Sequence, residues 1–345
     1  MMPNNVLKIS YFSGTGNAKQ IALWFSEQAI QKDMDCRLYN IAESNSASDL
    51  INPDDIIIII SPIHGFNFPK ITMDFIRRFP KGKNRMVLMN TRGGLKIGRI
   101  VTPGLTGSAF MLSSLILRNK GYKIIGQIPF DMPSNWISIH PALREKSVNF
   151  IFEKNHERVK KHLDKLYANK TDFQARKDIV QDILILPLSI AYYFAGRYFW
   201  AKSFYSSSKC NHCNLCAKEC PVEAIKIVSQ RPYWTFKCVS CMKCMNSCPT
   251  RAIETTHGLW IVACCVSAVS TPLFYSLLPN TIHHWSIAFL ILNVLLFGLI
   301  ALIYNLQHHL LKNRIFAKII SFTSLTYYKF WGRYVIKIEK HENNT

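Results

Sequence analysis

Eight of the eleven cysteines lie in two short runs between residues 210 and 248, each with the spacing C-x2-C-x2-C-x3-C-P. Two intervening residues let a tight loop present several thiolates to one compact cubane, and this is the bacterial spacing for [4Fe–4S] clusters. Zinc sites instead use CxxC pairs separated by a longer stretch. We therefore predict two [4Fe–4S] clusters, whose ligands are Cys210, Cys213, Cys216, Cys220, Cys238, Cys241, Cys244 and Cys248.

The fourth cysteine of each run is expected to bind the cluster of the other run, because it begins a new element after the tight loop. One cluster is then held by Cys210, Cys213, Cys216 and Cys248, and the second by Cys238, Cys241, Cys244 and Cys220. Lysines at 209, 218, 237 and 243 lie beside these ligands in the sequence. Nearby cations favour the reduced, more negative cluster, and ordinary solvated surface charge is the alternative interpretation of these lysines. The remaining cysteines, Cys36, Cys264 and Cys265, are interpreted as packing residues.

A second candidate site follows the first predicted strand and leads directly into a predicted helix. Its glycines allow a tight turn, and the helix N-terminus offers unpaired N–H groups to an anion. Side chains of Ser13, Thr15 and Asn17 add donors for a terminal phosphate. The loop matches neither GxGxxG nor GxxxxGK[ST], so a dinucleotide site or a P-loop is not predicted. The loop consists of Ser13, Gly14, Thr15, Gly16, Asn17 and Ala18.

Short apolar runs alternate with amphipathic stretches through the first 170 residues. The run Ile56–Ile60 is five isoleucines, which suits a parallel strand covered on both faces. Strand and helix in alternation predict a doubly wound five-stranded parallel α/β sheet that binds ligands at the carboxyl ends of its strands. The predicted strands are Val6–Phe12, Asp35–Tyr39, Asp55–Ile60, Arg85–Met89 and Tyr122–Ile128, and the helices are Asn17–Gln31, Pro69–Phe79, Gly107–Lys120 and Ala142–Tyr167.

With its Ser/Thr-Gly-rich first loop, this half of the sequence resembles the flavodoxins, whose first loop holds the FMN phosphate. The resemblance implies FMN as a cofactor, with its ring held by the loops after strands three and four. Phe66 or His64 would stack on the ring, and for His64 stacking or hydrogen bonding is favoured over proton donation. The implied ring-binding residues are Pro62, Ile63, His64, Gly65, Phe66, Asn67, Thr91, Arg92, Gly93 and Gly94.

The cysteine segment resembles two-cluster bacterial ferredoxins, including Val222–Ile227 and Thr250–Ile253 after the two runs. A flavodoxin-like half joined to such a segment is similar to the bacterial and archaeal flavodoxin–ferredoxin fusion proteins. The stretch Asp131–Trp136 after strand five also looks like that family. This resemblance covers about residues 6–257 and implies a small α+β ferredoxin domain after the parallel sheet.

Two 20-residue stretches, Leu259–Leu278 and Trp285–Tyr304, contain no Asp, Glu, Lys or Arg, and each is long enough to cross a bilayer. They predict a two-helix transmembrane hairpin; two buried core helices are the alternative. The loop between them has no Lys or Arg, whereas Lys312, Arg314 and Lys318 follow the second stretch. The positive-inside rule therefore places a multi-pass protein in the cytoplasmic membrane with both chain ends in the cytoplasm.

Five segments are expected along the chain. For the apolar aromatic linker, the sequence suits either a membrane-interfacial helix or a helix packed between domains, and the basic aromatic tail suits a helix on the cytoplasmic leaflet. The segments are a flavodoxin-like FMN-binding domain at 1–175, an apolar aromatic linker at 176–209, a ferredoxin domain at 210–257, the hairpin at 259–304 and a basic aromatic tail at 305–345.

The chain carries 42 basic and 21 acidic side chains, a net charge of +21, without a block of like charge or a nucleic-acid-binding motif. This pattern favours an acidic protein or an anionic membrane face over nucleic acid. Expected partners are a redox protein, such as an acidic ferredoxin or a reductase, membrane lipid and quinone.

The leading functional hypothesis is a membrane-tethered carrier that passes electrons between FMN and the two clusters, and it needs no catalytic residue. The alternative is a flavin-dependent reductase of a small molecule or quinone that the clusters feed. Its pocket would lie over the ring near His64, Phe66, Asn135 and Trp136. A third, non-redox hypothesis makes the soluble part a scaffold for the hairpin.

Overall fold

The computed structural model describes residues 6–43, 52, 54–262, 265, 268–269 and 298–334. Most of the two apolar stretches that predict a hairpin therefore lies outside the described residues. Within the described residues, no single helix is both long and apolar enough to cross a bilayer. One pair of helical segments, Gln174–Leu184 and Leu186–Ala201, has together the length and apolar composition of a membrane span, but the two segments meet at a bend of 78°.

The first half of the chain folds into a six-stranded sheet in the order β2-β1-β3-β4-β7-β8, and every neighbouring pair is parallel. Its first five strands follow the flavodoxin order 2-1-3-4-5. The strands are β1 Leu7–Tyr11, β2 Cys36–Asn40, β3 Ile56–Pro62, β4 Arg85–Gly94, the small pair β5 Lys96–Ile97 and β6 Ile100–Val101, β7 Lys123–Pro133 and β8 Asp172–Phe173.

The sheet has six strands and not the predicted five, because β8 joins its edge. Strand β8 pairs only at Gly126↔Asp172 and Gln127↔Phe173, and two residues are too few to show a strand period in the sequence. Its anchor is Asp172, which is buried and accepts hydrogen bonds from His162 at 2.6 Å and Lys165 at 3.1 Å.

The five isoleucines of β3 are buried on both faces of the sheet, as their composition predicts. Ile56, Ile58 and Ile60 pack with residues of α1 and α4, whereas Ile57 and Ile59 pack with residues of α2 and α3. Two helices on each face give the doubly wound arrangement and bring the strand ends to one edge. These helices are α1 Asn17–Ile30, α2 Lys70–Arg78, α3 Ala109–Asn119 and α4 Glu145–Tyr167.

The segment predicted as a linker is a series of short helices that packs against the edge where β3 and β4 end. Asp178 pairs with Arg92 at 2.6 Å, Asp182 accepts the Gly107 N–H at 2.7 Å, and the Ser189 hydroxyl donates to the Phe66 carbonyl at 2.7 Å. Its elements are a 3-10 turn Gln174–Asp178, α5 Ile179–Leu184, α6 Leu186–Ala191, a π-helical turn Tyr192–Gly196 and α7 Arg197–Ala201.

The cysteine segment forms a small α+β unit of two antiparallel strand pairs, β10–β11 and β9–β12. Its elements are β9 Phe204–Ser206, α8 Leu215–Lys218, β10 Ile225–Val228, β11 Arg231–Trp234, α9 Lys243–Ser247 and β12 Ile253–Thr255.

The C-terminal residues pack on this unit more closely than an interfacial tail would. Tyr304, Trp331 and Tyr334 are buried. The Tyr304 hydroxyl accepts the Trp234 N–H at 3.0 Å, and the Tyr334 N–H donates to the Asn246 side chain at 2.7 Å. The prediction that the tail is a helix on the leaflet therefore does not hold for Trp331 and Tyr334, which are buried within the protein. Residues 298–310 and Arg314–Phe322 are helical.

Candidate functional site

A cleft of about 330 Å³ opens where β3 and β4 end and α1 begins. It lies at the carboxyl edge of the sheet, where ligands bind in doubly wound folds, beside the β1/β3 switch point. Predicted residues that line it are Asn17, Pro62, Ile63, His64, Gly65, Phe66, Thr91, Arg92 and Gly93.

Other predicted cofactor residues lie outside the cleft wall. The Ser13 hydroxyl accepts the Gly16 N–H at 3.1 Å and closes the turn before α1, whose first turn has no side-chain cap. Asn67 is a turn residue whose amide oxygen accepts the Phe68 N–H at 2.8 Å. The predicted residues outside the wall are Ser13, Gly14, Thr15, Gly16, Ala18, Asn67 and Gly94.

The side chain of Asn17 is not available to a phosphate as predicted. Its Nδ2 donates to the Pro133 carbonyl at 2.9 Å, and its Oδ1 accepts the Tyr334 hydroxyl at 2.7 Å. Both bonds are buried, so Asn17 fixes the start of α1 against two distant parts of the chain. Anion binding at this loop therefore depends on the first-turn N–H groups and on the hydroxyls of Ser13 and Thr15. The oxygens of these hydroxyls accept from Gly16 and Asn135, and their hydrogens remain available.

Arg92 lines the cleft, but its guanidinium group is bound to carboxylates. It contacts Asp131 at 2.7 Å and Asp178 at 2.6 Å, and its side chain is almost fully buried. Burial alone would lower the pKa of Arg92, yet the two carboxylates raise it above its ordinary value. Arg92 therefore holds the linker helices against β4, and it brings no unpaired charge to the cleft.

Several wall residues were missed because they come from distant segments. Tyr192 comes from the π-helical turn, and Ser240, Cys241 and Met242 come from the second cysteine run. Asn135 and Trp136, weighed only for the reductase alternative, also line the cleft. The aromatic content of the linker was the one sequence signal for Tyr192. The further wall residues are Leu95, Thr102, Pro103, Gly104, Leu105, Pro133 and Ser134.

The cleft fits FMN. Its size falls in the range of small-ligand pockets, and Phe66, Trp136 and Tyr192 offer aromatic faces to a planar ring. Thr91 Oγ1 and Trp136 Nε1 are buried, and neither has a hydrogen-bond partner among the described residues. Phe66 holds a positive φ of 67°, a strain that is concentrated at ligand-binding loops.

His64 connects the cleft to the cysteine segment. Its Nδ1 lies 2.9 Å from the carbonyl oxygen of Val239, which requires an N–H at Nδ1 and leaves Nε2 as the acceptor in the neutral ring. Burial lowers the pKa of His64 to about 4, although the bond to Val239 opposes the shift. The imidazole is thus neutral at pH 7, which favours a hydrogen-bonding role over proton donation.

The eight clustered cysteines form two groups, each around its own cavity. Cys210, Cys213, Cys216 and Cys248 line the first, here called the outer cluster site. The second, here called the pocket-side cluster site, is lined by Cys220, Cys238, Cys241 and Cys244. The fourth cysteine of each run therefore lies with the first three of the other run.

Buried thiols need a metal to ionise. Burial raises the pKa of Cys238 to about 12 and that of Cys241 to about 11, so iron must compensate the thiolate charge. Backbone N–H groups of Ala224 and Ala252 donate to the sulfurs of Cys220 and Cys248 at 3.2 and 3.3 Å. No three His, Cys, Asp or Glu side chains in the described part of the chain could hold a single metal ion. Ligands of a cubane bind different irons and therefore stand further apart.

The pocket-side cluster site and the cleft share one wall. Ser240, Cys241 and Met242 line both cavities. A Cβ atom on Gly14 would lie 2.6 Å from the Cβ of Cys241, so the phosphate loop and the cluster loop are in direct contact. The order in space is therefore cleft, pocket-side cluster site and outer cluster site, where Cys213 is exposed.

Residues 209–253 match the family model of the 4Fe-4S dicluster domain. No curated protein sequence matches the chain. The chain is similar to the flavodoxin of Streptococcus pneumonia TIGR4, with 16% identity over 48% of this chain and 99% of that chain and a TM-score of 0.35. The two-electron reduced flavodoxin of Megasphaera elsdenii has 17% identity over 44% of this chain and 98% of that chain, at a TM-score of 0.30.

Rubredoxin oxygen:oxidoreductase from Desulfovibrio gigas has 12% identity over 47% of this chain and 37% of that chain, with a TM-score of 0.31. Because these TM-scores are low, the assignment of the fold rests on the observed strand order and not on these similarities. The dicluster match confirms [4Fe–4S] clusters as cofactors and electron transfer as the chemistry of the cysteine segment.

Substituting two neighbouring cysteines of the same run is expected to remove different clusters. Cys216→Ala should lower the iron content from about eight to about four atoms per chain by loss of the outer cluster. Cys220→Ala should give the same count by loss of the pocket-side cluster. Iron analysis with EPR of the reduced proteins measures this. Identical spectra for both variants would mean that each run binds its own cluster.

The low pKa of His64 predicts a pH-dependent stability. The folded-state pKa of about 4 lies below the unfolded value near 6.5, so stability is full above pH 6.5 and falls as the pH drops toward 4. In His64→Asn, whose amide can still donate to Val239, the free energy of unfolding should fall by on the order of 2 kcal/mol less than in the wild type between pH 6.5 and 4. Anaerobic urea unfolding at several pH values measures it, and His156→Asn, at an exposed site, is the control. Parallel profiles for wild type and His64→Asn would contradict the assignment.

Proposed function

We propose that this protein is a membrane-tethered electron carrier in which an FMN in the cleft exchanges electrons with the pocket-side cluster and, through it, with the outer cluster. The observation that carries the proposal is the shared wall, because Cys241 borders both the cleft and the pocket-side cluster site. When bound, FMN exchanges one or two electrons, whereas each cluster exchanges one at a time.

The residues of the cleft bind and orient the cofactor. First-turn N–H groups of α1 hold the phosphate, and the segments 62–66 and 91–93 hold the ring. Trp136 and Tyr192 exclude water from the ring face. The hydrogen bond from His64 to Val239 holds the ring-binding loop against the cluster loop, so the distance between the two redox sites stays fixed.

Electron carriage is favoured over the reductase alternative. Asn135 and Trp136 lie in the same wall as His64 and Phe66, so they border the flavin site itself. A volume of about 330 Å³ suits one ligand, and a small-molecule substrate over the ring would need further room.

The partner we propose is an acidic redox protein that docks at the outer cluster site. Cys213 is exposed there, and Lys209 and Lys218 border the same cysteine run. The chain as a whole carries a net charge of +21, which attracts an acidic partner over long range. A membrane quinone is the other candidate acceptor.

Membrane tethering is supported by the two uncharged apolar stretches and by one described helix. In Arg314–Phe322, Ile315, Ile319 and Phe322 are 72%, 56% and 76% exposed and recur at the spacing of one helix face. Basic residues Arg314 and Lys318 lie on the same short helix. An apolar face with neighbouring cations suits an anionic leaflet, with both chain ends proposed to lie in the cytoplasm.

Anaerobically purified protein should contain about one FMN and about eight iron atoms per chain. After rapid reduction of the clusters, the flavin should be reduced at a rate that is independent of protein concentration, because the transfer is internal. Gly14→Val, which pushes against Cys241, should slow this step roughly tenfold or more, since displacements of about 1 Å have effects of that size. Ile97→Ala, at an exposed site, is the control.

Full iron without flavin would overturn the FMN assignment, and a rate proportional to protein concentration would overturn the internal path. Repeating the measurement with an acidic ferredoxin as acceptor tests the partner. Its second-order rate should fall as salt rises, because steering between surface charges is screened. A rate insensitive to salt would argue for quinone instead.

The full chain is expected to stay with the membrane fraction through high-salt and alkaline washes and to be released only by detergent. Apolar stretches of 20 residues give insertion that salt does not reverse. Fractionation followed by immunoblotting measures this. Recovery in the high-salt supernatant would leave only surface attachment, and recovery in the first soluble fraction would exclude tethering.

A further inference from the structure

Lys202 is a buried cation without a carboxylate partner. It follows α7, is 3% exposed, and donates from Nζ to the Trp234 carbonyl at 2.5 Å. Among the described residues, no Asp or Glu forms an ion pair with it. A buried ammonium group is costly unless charge or dipoles compensate it, so its retention requires an explanation.

Part of the compensation comes from aromatic rings. Lys202 Nζ lies 4.6 Å from the ring centroid of Tyr233, 4.5 Å from that of Phe236 and 4.4 Å from that of Tyr304. Each distance is within the range of a cation–π interaction. The three rings, the Trp234 carbonyl and the ammonium group are here called the lysine cage.

The remaining compensation comes from the pocket-side cluster site. Trp234, whose carbonyl holds the ammonium group, lines that cavity together with Cys238 and Cys244. Burial lowers the pKa of Lys202 to about 8, and the charge of Cys238 opposes the shift. The lysine is therefore protonated at pH 7, next to a site that becomes anionic when its thiolates bind iron.

We propose that Lys202 supplies a fixed positive charge that raises the reduction potential of the pocket-side cluster. Reduction adds one electron to the cluster from the flavin or from the outer cluster, with no bond made or broken. A cation in a buried site stabilises the added negative charge strongly, because solvent and salt screen it little.

The lysines that adjoin the cysteines in the sequence are less suited to this role. Lys209 has a side chain that is 36% exposed, and Lys243 is 34% exposed and lies 3.8 Å from Glu219. Lys218 and Lys237 are exposed. Exposed charges are screened, so among these lysines the strongest effect on the pocket-side cluster is expected from Lys202, which lies 36 residues before Cys238 in the sequence.

The test is an EPR-monitored redox titration of the full chain at pH 7, with the outer cluster assigned from its loss in Cys216→Ala. In Lys202→Met the pocket-side cluster should become harder to reduce by about tenfold in its equilibrium constant, which is about 59 mV for one electron. Lys202→Arg should keep the wild-type potential. Lys209→Met, beside the outer cluster, should shift either potential much less.

An unchanged potential in a Lys202→Met protein that keeps about eight irons would overturn the proposal. If the Lys202→Met variant loses the pocket-side cluster, the salt dependence of the wild-type protein tests the proposal instead. In the wild type the potential of the pocket-side cluster should stay nearly constant from low to molar salt, and a potential that falls as salt rises would mean that surface charge sets it. The proposal rests on the clusters and not on FMN, so a protein without flavin still tests it.

Discussion

The hydrogen bond between His64 and the Val239 carbonyl joins a loop of the parallel sheet to a loop that binds iron. Its geometry requires the ends of β3 and β4 to face the second cysteine run, with Gly14 in van der Waals contact with Cys241. A side chain at position 14 would separate the two loops. The cleft and the pocket-side cluster site therefore adjoin only because this boundary is closely packed.

The helices of residues 174–201 support the same boundary from the other side. Asp178 binds Arg92, Ser189 binds the Phe66 carbonyl, and Tyr192 closes the cleft. A segment that connects two domains in the sequence is therefore part of the binding site. Its outward residues Val180, Leu184 and Phe194 remain exposed.

The sheet and the cluster ligands could be predicted because each has a strong local pattern. Five consecutive isoleucines predict a strand covered on both faces, and the cysteine spacing predicts cubane ligation. The two-residue strand β8 and the roles of Asn17 and Arg92 could not be predicted, because each depends on partners distant in sequence, such as Tyr334 for Asn17. Lys202 gave no local signal either, since its cage is built from Tyr233, Phe236 and Tyr304.

The hydrogen bond between Tyr334 and Asn17 joins residues 317 positions apart. Tyr334 also donates its N–H to the side chain of Asn246 in α9 at 2.7 Å, so it locks the start of α1 to the cluster-binding unit. During synthesis the sheet leaves the ribosome long before Tyr334 does. The nascent sheet can fold early, but the lock at α1 closes only after residue 334 has been made, so the first loop and the cluster-binding unit are joined after the sheet has formed.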